Sequence, residues 1–259
     1  MSVPIADMRQ IVTEAGRLAV LYYGKVSGSL KSDLSMVSEA DTAVEHFLRL
    51  SLLALAPGYG YIGEETEESQ PPAEGETRAW VVDALDGSRA FVSGMPLWMP
   101  AVCLMDGGRP IAGAAINPIT GELFWADEDG PAFCNERPLK PKRSTEIGPT
   151  TFIAGPTNHH RTFAVDFPGR IYCLGAPIYQ LCLVAKGAVA GMFFDPAVNL
   201  WDLALPLVLL DRTGGVLEYA SGRRVEPAEL IGRDKVPEPI YAGGPEMVAI
   251  LRQRITYKG

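Results

Sequence analysis

Apolar residues recur at helical spacing near the start of the chain. Ile5, Met8, Ile11, Val12, Ala15, Leu18, Ala19 and Tyr22 fall on one face, and Gly24 follows as a stop. The spacing returns after Ser38, where Val44, Phe47, Leu48, Ser51, Leu52 and Leu55 share a face that Pro57-Gly58 ends. Thr42-x-x-Glu45 fits a capping box for this second helix. Tyr59 to Ile62 and Trp80 to Val82 read as short strands. From residue 98 to 134 turn signals recur at Asp106-Gly107-Gly108, Pro118 to Gly121 and Asp127 to Gly130, with β-type runs between them, which predicts an antiparallel meander. Residues 136 to 150, rich in Pro, Lys, Arg, Ser and Thr, read as a connection between halves. Strand and helix then alternate. Strands are predicted at 152–154, 171–174, 189–194 and after Gly214-Gly215, and helices over Ala176 to Lys186, about Trp201 to Arg212, and Glu246 to Arg254. Pro206 falls inside the 201–212 run and should start or kink that helix. The pattern predicts an α+β half over 1–145 and an α/β half over 146–259, packed as one unit, with no internal repeat.

Composition narrows the classes. With 259 residues, 47 % hydrophobic and 21 % charged, the chain can bury a sizeable core. A net charge of -8 argues against a nucleic-acid partner, because phosphate backbones call for clustered Lys and Arg. It leaves a small phosphate substrate open, since bound metal ions reverse local charge. Cys103, Cys134, Cys173 and Cys182 form no C-x-x-C pair and read as free thiols in a reducing compartment. The N-terminus shows no apolar signal core, and the run Leu200 to Leu210 is about half the length that spans a bilayer. A cytoplasmic protein with no membrane partner is expected.

Four segments carry candidate chemistry. In Trp80-Val-Val-Asp83-Ala-Leu-Asp86-Gly87-Ser88 an apolar strand delivers two carboxylates to its end, followed by Gly and a hydroxyl. Hard oxygen ligands at a chain turn suit Mg²⁺, and Gly87 lets a phosphate approach the backbone; a plain turn with Asx hydrogen bonds is the alternative. Gly63-Glu64-Glu65 follows another short strand and can equally be a solvated acidic loop, since Glu67, Glu68, Glu74 and Glu76 come next. Trp201-Asp202 opens an apolar helix, where an Asp is commonly a cap or a dipole partner. Lys31-Ser-Asp33-Leu-Ser-Met-Val-Ser38-Glu-Ala-Asp41 reads alone as a polar lead-in to the second helix. His159-His160 lies in a polar segment and reads as surface loop.

In order and content these segments resemble the inositol monophosphatase family, within the lithium-sensitive, Mg²⁺-dependent phosphatase superfamily. The matching elements are Val37-Ser-Glu-Ala-Asp41, Gly63-Glu64-Glu65, Asp83-Ala84-Leu85-Asp86-Gly87-Ser88, and Trp201-Asp202 with Gly214-Gly215. The meander agrees through Gly113-Ala-Ala-Ile-Asn-Pro118 and Gly130-Pro-Ala-Phe-Cys-Asn135, so the likeness covers nearly the whole chain. It implies a layered αβαβα sandwich, a homodimer, and hydrolysis of a small phosphate monoester with two or more Mg²⁺ ions. By the resemblance, Glu64, Asp83 and the Leu85 carbonyl would hold one ion, and Asp83, Asp86 and Asp202 a second. Asp41 and Ser88 would form a dyad orienting the attacking water, with Glu64 also among the catalytic groups. The amides of Gly87 and Ser88 would receive the phosphate, while Asp86, Asp202, Ala176 and Asp195, seven residues before Asp202, would border the substrate.

The sequence also departs from the family pattern. Ala84 stands where Pro is usual, Ser88 where Thr is usual, and Tyr172 where a basic residue is frequent. Arg89-Ala90-Phe91 is similar to histidinol-phosphate phosphatases, whereas Trp201-Asp202 and Asp195 point to the inositol side. The resemblance therefore implies myo-inositol 1-phosphate as leading substrate and L-histidinol phosphate as alternative. No basic pocket is evident in the sequence, which weighs against a bisphosphate. Regulatory binding proteins of transcription complexes form a different class among bacterial relatives, and a complete carboxylate set favours an enzyme over that reading.

Overall fold

The computed structural model describes residues 3–31, 36–66, 69–143, 146–233 and 235–259. Asp33, Glu67, Glu68 and the boundary residue Thr145 lie outside the described residues.

The two helical faces read at the start of the chain are buried faces. Helix α1 (Ile5–Tyr22) buries Met8, Val12, Ala15 and Ala19, and after the short ribbon of β1 (Ser29–Leu30) and β2 (Met36–Val37), α2 (Glu39–Leu55) buries Val44, Leu48 and Leu52. Both cover one face of a seven-stranded sheet whose spatial order follows the chain: β3 (Gly60–Gly63), β4 (Arg78–Asp86), β5 (Met99–Asp106), β6 (Arg109–Asn117), β7 (Glu122–Ala126), β8 (Ala132–Cys134) and β9 (Arg137–Pro138). β3 and β4 are parallel and the remaining neighbours antiparallel, so the meander extends from β4 to β9. Alternation sorts β5 cleanly. Val102 and Leu104 pack with α1 and α2, whereas Met99, Ala101, Cys103 and Met105 face the opposite core. A short helix, α3 (Ser88–Val92), links β4 to β5.

The second half runs β10 (Phe152–Ala154), α4 (His159–Thr162), β11 (Phe163–Val165), β12 (Arg170–Tyr172), α5 (Pro177–Lys186), β13 (Gly191–Phe194), α6 (Leu200–Arg212), β14 (Val216–Tyr219), β15 (Ile240–Gly243), α7 (Pro245–Arg254) and β16 (Ile255–Tyr257). Its five-stranded sheet has the order β12-β10-β13-β15-β14, and β11 pairs with β16 beside it. α5 and α6 are apolar nearly all round because both sheets pack on them. Ile178, Leu181, Leu203 and Leu209 share one core with Ala101 and Cys103 of the first sheet and Met192 and Leu217 of the second. α7 covers the outer face through Met247, Val248 and Leu251 against Ile153, Phe193 and Tyr241. The layers are therefore α1/α2, seven strands, α5/α6, five strands and α7, which is the αβαβα sandwich.

Local expectations shift in three places. The capping box of α2 is Ser38 with Asp41, not Thr42 with Glu45: Ser38 is extended, its hydroxyl accepts from the Ala40 N–H, and the Asp41 side chain accepts from the Ser38 N–H, so the helix begins at Glu39. Pro206 does not start α6, which begins at Leu200 and continues through it. His159 and His160 open α4 and are not loop residues. Among the described residues, no helix is long and apolar enough to cross a membrane, and the four cysteines are free thiols.

Candidate active site

A regular strand would send Asp83 and Asp86, three residues apart, to opposite faces. The pairing of β4 with β5 slips between them. Asp83 lies opposite Ala101 and Asp86 opposite Met99, so one extra residue is accommodated on β4. That bulge turns both carboxylates to one side, where they meet Asp202 from the first turn of α6. Ligand atoms of Asp83, Asp86 and Asp202 all lie within 4.8 Å of one another, and all three residues are buried. The Leu85 N–H donates to Asp83 Oδ1 at 2.9 Å. Gly87 follows in a left-handed conformation (φ 85°), and a Cβ there would lie 2.5 Å from the Leu97 carbonyl, so the turn from β4 into α3 requires glycine.

Three longer helices aim their N-termini at this group, and each meets it through a carboxylate. At α2, Asp41 Oδ2 accepts from the Ser38 N–H at 2.8 Å, leaving Oδ1 to accept the Ser88 hydroxyl at 2.6 Å. At α5, Asp86 Oδ2 accepts from the Tyr179 N–H at 2.9 Å. At α6, Asp202 Oδ2 accepts from the Asn199 N–H at 2.6 Å in a capping box, which fixes the carboxylate beside Asp83 and Asp86. The cap reading of Asp202 and the site reading thus hold together.

Glu64 stands outside the 4.8 Å group but in the same cavity, which has a volume of about 730 Å³ and is also lined by Leu85, Gly87, Ser88, Pro177 and Trp201. Because β3 is parallel to β4, the ends of both strands open side by side, and the Glu64 N–H donates to the Val82 carbonyl. Lys31 reaches both Glu64, at 3.2 Å, and Glu65. Behind them, Glu45 is 4 % exposed. Its Oε2 accepts from the Glu65 N–H at 2.8 Å and its Oε1 from the Thr66 hydroxyl. A Cβ on Gly63 would collide with that carboxylate, so Gly63 is what lets Glu45 approach.

The motifs did not point to Glu45, Asn199, Lys31, Arg89 or Lys235 as site residues, and the last four of these line the cavity. Glu45 had a signal: it lies one turn after Asp41 on the buried face of α2, an acid among Val44 and Leu48. Asp195 and Ala176 are not on the cavity wall, which there consists of Gly175, Pro177 and Ala197. Ala176 is fully buried at the start of α5. Asp195 is 9 % exposed, and its Oδ2 accepts from the Asn158 amide at 2.9 Å. Tyr172 is exposed on the edge strand β12, its ring beside Phe152. His159 is half-buried, with Nδ1 3.0 Å from the Pro156 carbonyl and 3.3 Å from Cys173 Sγ.

Burial and mutual repulsion set the electrostatics. Glu64 is pushed up to about 8, first by burial, then by Asp202 and Glu65, with Lys31 pulling the other way. Burial raises Asp83 well above the ordinary carboxylate range, helped by Glu64, Asp86 and Asp202. Asp86 is raised in the same way against the Tyr179 hydrogen bond. Asp202 rises to about 6 through burial, against the Asn199 hydrogen bond. Asp86 Oδ1 is buried with no hydrogen-bond partner among the described residues. A carboxylate oxygen without a donor, beside two further carboxylates, fits a hard divalent cation, which would supply the missing positive charge.

A model of the inositol monophosphatase family matches residues 5–243. A Rhizobium meliloti protein named inositol-1-monophosphatase is 33 % identical over 229 residues, covering 83 % of this chain and 85 % of its own. A Chlorobaculum parvum protein named histidinol-phosphatase is 28 % identical over 224 residues, with the same coverage of 83 % and 85 %. The crystal structure of extragenic suppressor protein suhB from Bartonella henselae superposes with a TM-score of 0.83 at 25 % identity, covering 96 % of both chains. With the family model running from α1 to the end of β15 and a 33 % identical relative spanning most of the chain, this protein belongs to the inositol monophosphatase family.

Proposed function

We propose that this protein hydrolyses a small phosphate monoester with the help of Mg²⁺, and that myo-inositol 1-phosphate is its leading substrate. The observation that carries the reading is the grouping of ligand atoms of Asp83, Asp86 and Asp202 within 4.8 Å, with one buried oxygen of Asp86 unpartnered among the described residues. In this reading Asp83, Asp86 and Asp202 hold one ion, while Glu64, Asp83 and the Leu85 carbonyl hold another. Bound divalent ions supply charge neutralisation of the phosphate and a lowered pKa for the attacking water. The rest falls to the chain's own groups. Ser88 donates its hydroxyl proton to Asp41 at 2.6 Å, so its oxygen lone pairs remain to accept a proton from a water. Asp41 is itself fixed by Ser38 and cannot turn away. The backbone at Gly87 and Ser88, the first turn of α3, receives phosphate oxygens. No enzyme nucleophile is required, because phosphoryl transfer depends on positioning and charge more than on covalent chemistry.

L-Histidinol phosphate is a second reading, supported by the Arg89-Ala90-Phe91 run, of which Arg89 lines the cavity, and by the similar protein that bears the name histidinol-phosphatase. A homodimer joined through the first half's meander belongs to the same reading, and sedimentation at micromolar concentration checks it. The deciding experiment is phosphate release with Mg²⁺ over inositol 1-phosphate, histidinol phosphate and an aryl phosphate, for the native chain and Asp83→Asn. Turnover that survives Asp83→Asn sinks the proposal.

A further inference from the structure

Helix α5 brings no side-chain cap of its own. Ala176 precedes it, and Pro177 takes the first helical position. The Tyr179 N–H, still within the first turn, is held instead by Asp86 Oδ2, which reaches it from the first sheet. Any slide or tilt of α5 therefore moves the amide that orients Asp86. The same residue anchors the helix through its side chain, because the Tyr179 hydroxyl donates to Glu122 Oε2 at 2.7 Å. Lys186, in the last turn of α5, reaches Glu122 Oε1 at 2.6 Å. Glu122 opens β7, and the turn before it is itself tied down. The buried Asn117 side chain accepts from the Ile119 and Thr120 N–H groups at 3.0 and 3.1 Å, and the Thr120 hydroxyl donates to Glu122 Oε2 at 3.2 Å. The Asn117 amide also donates to the Pro96 carbonyl at 2.9 Å, and the carbonyl of the next residue, Leu97, is the one that lies against Gly87.

The turn between β6 and β7 thus reaches both flanks of the carboxylate group, although neither it nor Tyr179 lines the cavity. Its bond to Tyr179 is a firm one. Burial pushes the Glu122 carboxyl up, but Lys186 and Tyr179 outweigh this and hold it below the ordinary range, so the acceptor is ionised and the bond charge-assisted. Tyr179 is 6 % exposed, with its ring packed against Phe124 of β7, so a rigid side chain joins Glu122 to the backbone at residue 179. Lys186 is more exposed, and an ion pair open to water tethers less. We propose that Glu122 and Tyr179 are positioning residues: the hydrogen bond between them fixes α5 against the first sheet, and through the Tyr179 N–H it holds the Asp86 carboxylate in the orientation that receives a divalent cation. The cation belongs to the phosphatase reading above; the linkage stands on the hydrogen bonds alone.

Amide hydrogen exchange at residues 178 and 179 of the metal-free chain reads the linkage, and calorimetric Mg²⁺ binding reads its consequence. In Tyr179→Phe and in Glu122→Ala, exchange at 178 and 179 should quicken about ten-fold relative to Leu183 in the middle of α5, the worth of one hydrogen bond. Mg²⁺ affinity should fall by about ten-fold, the scale for groups that orient metal ligands. The double variant should bind Mg²⁺ no worse than either single one, because both remove the same bond. Glu122→Gln keeps an acceptor for Tyr179 and loses only the exposed ion pair, so it should stay within about two-fold of the native chain. Leu251→Ala, in the outer core beneath α7, is the control for destabilisation alone: it should lower Tm and leave Mg²⁺ affinity unchanged. Native-like exchange at 178 and 179 in both single variants overturns the proposal, as do additive losses in the double variant or a loss of affinity that Leu251→Ala reproduces. Faster exchange in the variants, with no Mg²⁺ bound even by the native chain, keeps the linkage and removes the metal reading. Native Mg²⁺ affinity in Tyr179→Phe and Glu122→Ala removes the positioning role and leaves the phosphatase reading standing.

Discussion

Glu45 offers the sharpest perturbation of the site's support. Its two carboxylate oxygens accept from the Glu65 N–H at 2.8 Å and from the Thr66 hydroxyl, and the side chain is buried against Gly63. Glu45→Ala removes both acceptors and leaves a part-buried N–H without a partner, which costs about 1–3 kcal/mol. The lost side-chain packing brings the total to about 2–4 kcal/mol. Glu45→Gln keeps the shape. Its amide oxygen can accept from Glu65, and its NH₂ can donate to Thr66 once that hydroxyl rotates. The variant also relieves a buried charge, since burial holds the Glu45 carboxyl above its ordinary value despite the Thr66 and Glu65 bonds. Glu45→Gln should therefore cost less than about 1 kcal/mol. Urea denaturation of the metal-free variants reads these differences. The Mg²⁺ dependence of Tm reads the consequence for Glu64, where Ala should weaken apparent affinity by about ten-fold, the scale of supporting hydrogen bonds around ligands. Equal destabilisation by Gln and Ala would refute the hydrogen-bond argument, and unchanged Mg²⁺ affinity in Glu45→Ala would refute the positioning role.

Ser88→Ala should lower kcat by about 100-fold or more while shifting unfolding little, because Asp41 keeps its Ser38 bonds; a loss that tracks stability instead would count against the dyad. Metal-free stability should fall as pH rises between about 4.5 and 8, since the folded chain holds a proton on Glu64 that the unfolded chain has released, with Asp202 adding the same sign between 3.8 and about 6. Mg²⁺ should raise Tm more at the upper end of that window, because ligation needs ionised carboxylates; a flat or rising metal-free profile in thermal scans contradicts this. Asp195→Asn should lower kcat/KM for inositol 1-phosphate and for an aryl phosphate alike, because Asp195 stands off the cavity wall and acts through the Asn158 amide. A loss about ten-fold larger for inositol 1-phosphate, the scale of one charge-assisted hydrogen bond, would instead place Asp195 against the substrate.

What the sequence made legible follows from where the information is local. The apolar stripes of α1 and α2 read directly because each helix has one buried face. The segment from Asp83 to Ser88 stood out because an apolar strand rarely ends in two acids. Its bulge did not, since a slip of one residue is settled by the partner strand at Ala101 and Met99. The caps were misassigned for a related reason: Ser38 with Asp41 and Thr42 with Glu45 both satisfy the same spacing, and only the tertiary demand of Thr66 and Glu65 for an acceptor diverts Glu45. His159 read as surface because its contacts with Cys173 and Phe193 come from elsewhere in the chain. Lys235 stayed hidden because nothing in its neighbourhood announces that Val236 is tied to Val198.

The use of caps as site residues has a thermodynamic consequence. In Asp41, Asp86 and Asp202 one oxygen is held by an amide at a helix start, which orients the carboxylate, and in Asp86 and Asp202 that hydrogen bond favours the ionised form. Burial and neighbouring acids oppose ionisation, and in Asp86 and Asp202 they prevail, since both remain raised despite those hydrogen bonds. The helices therefore cannot by themselves make this group of acids comfortable when ionised. A cap that served folding alone would lie at the surface, where water solvates the free oxygen. In Asp86 that oxygen is buried, and it has no hydrogen-bond partner among the described residues. The arrangement makes sense as one in which a ligand brings the missing positive charge. Helix initiation then fixes the geometry in advance, so that little reorganisation is needed when the charge arrives.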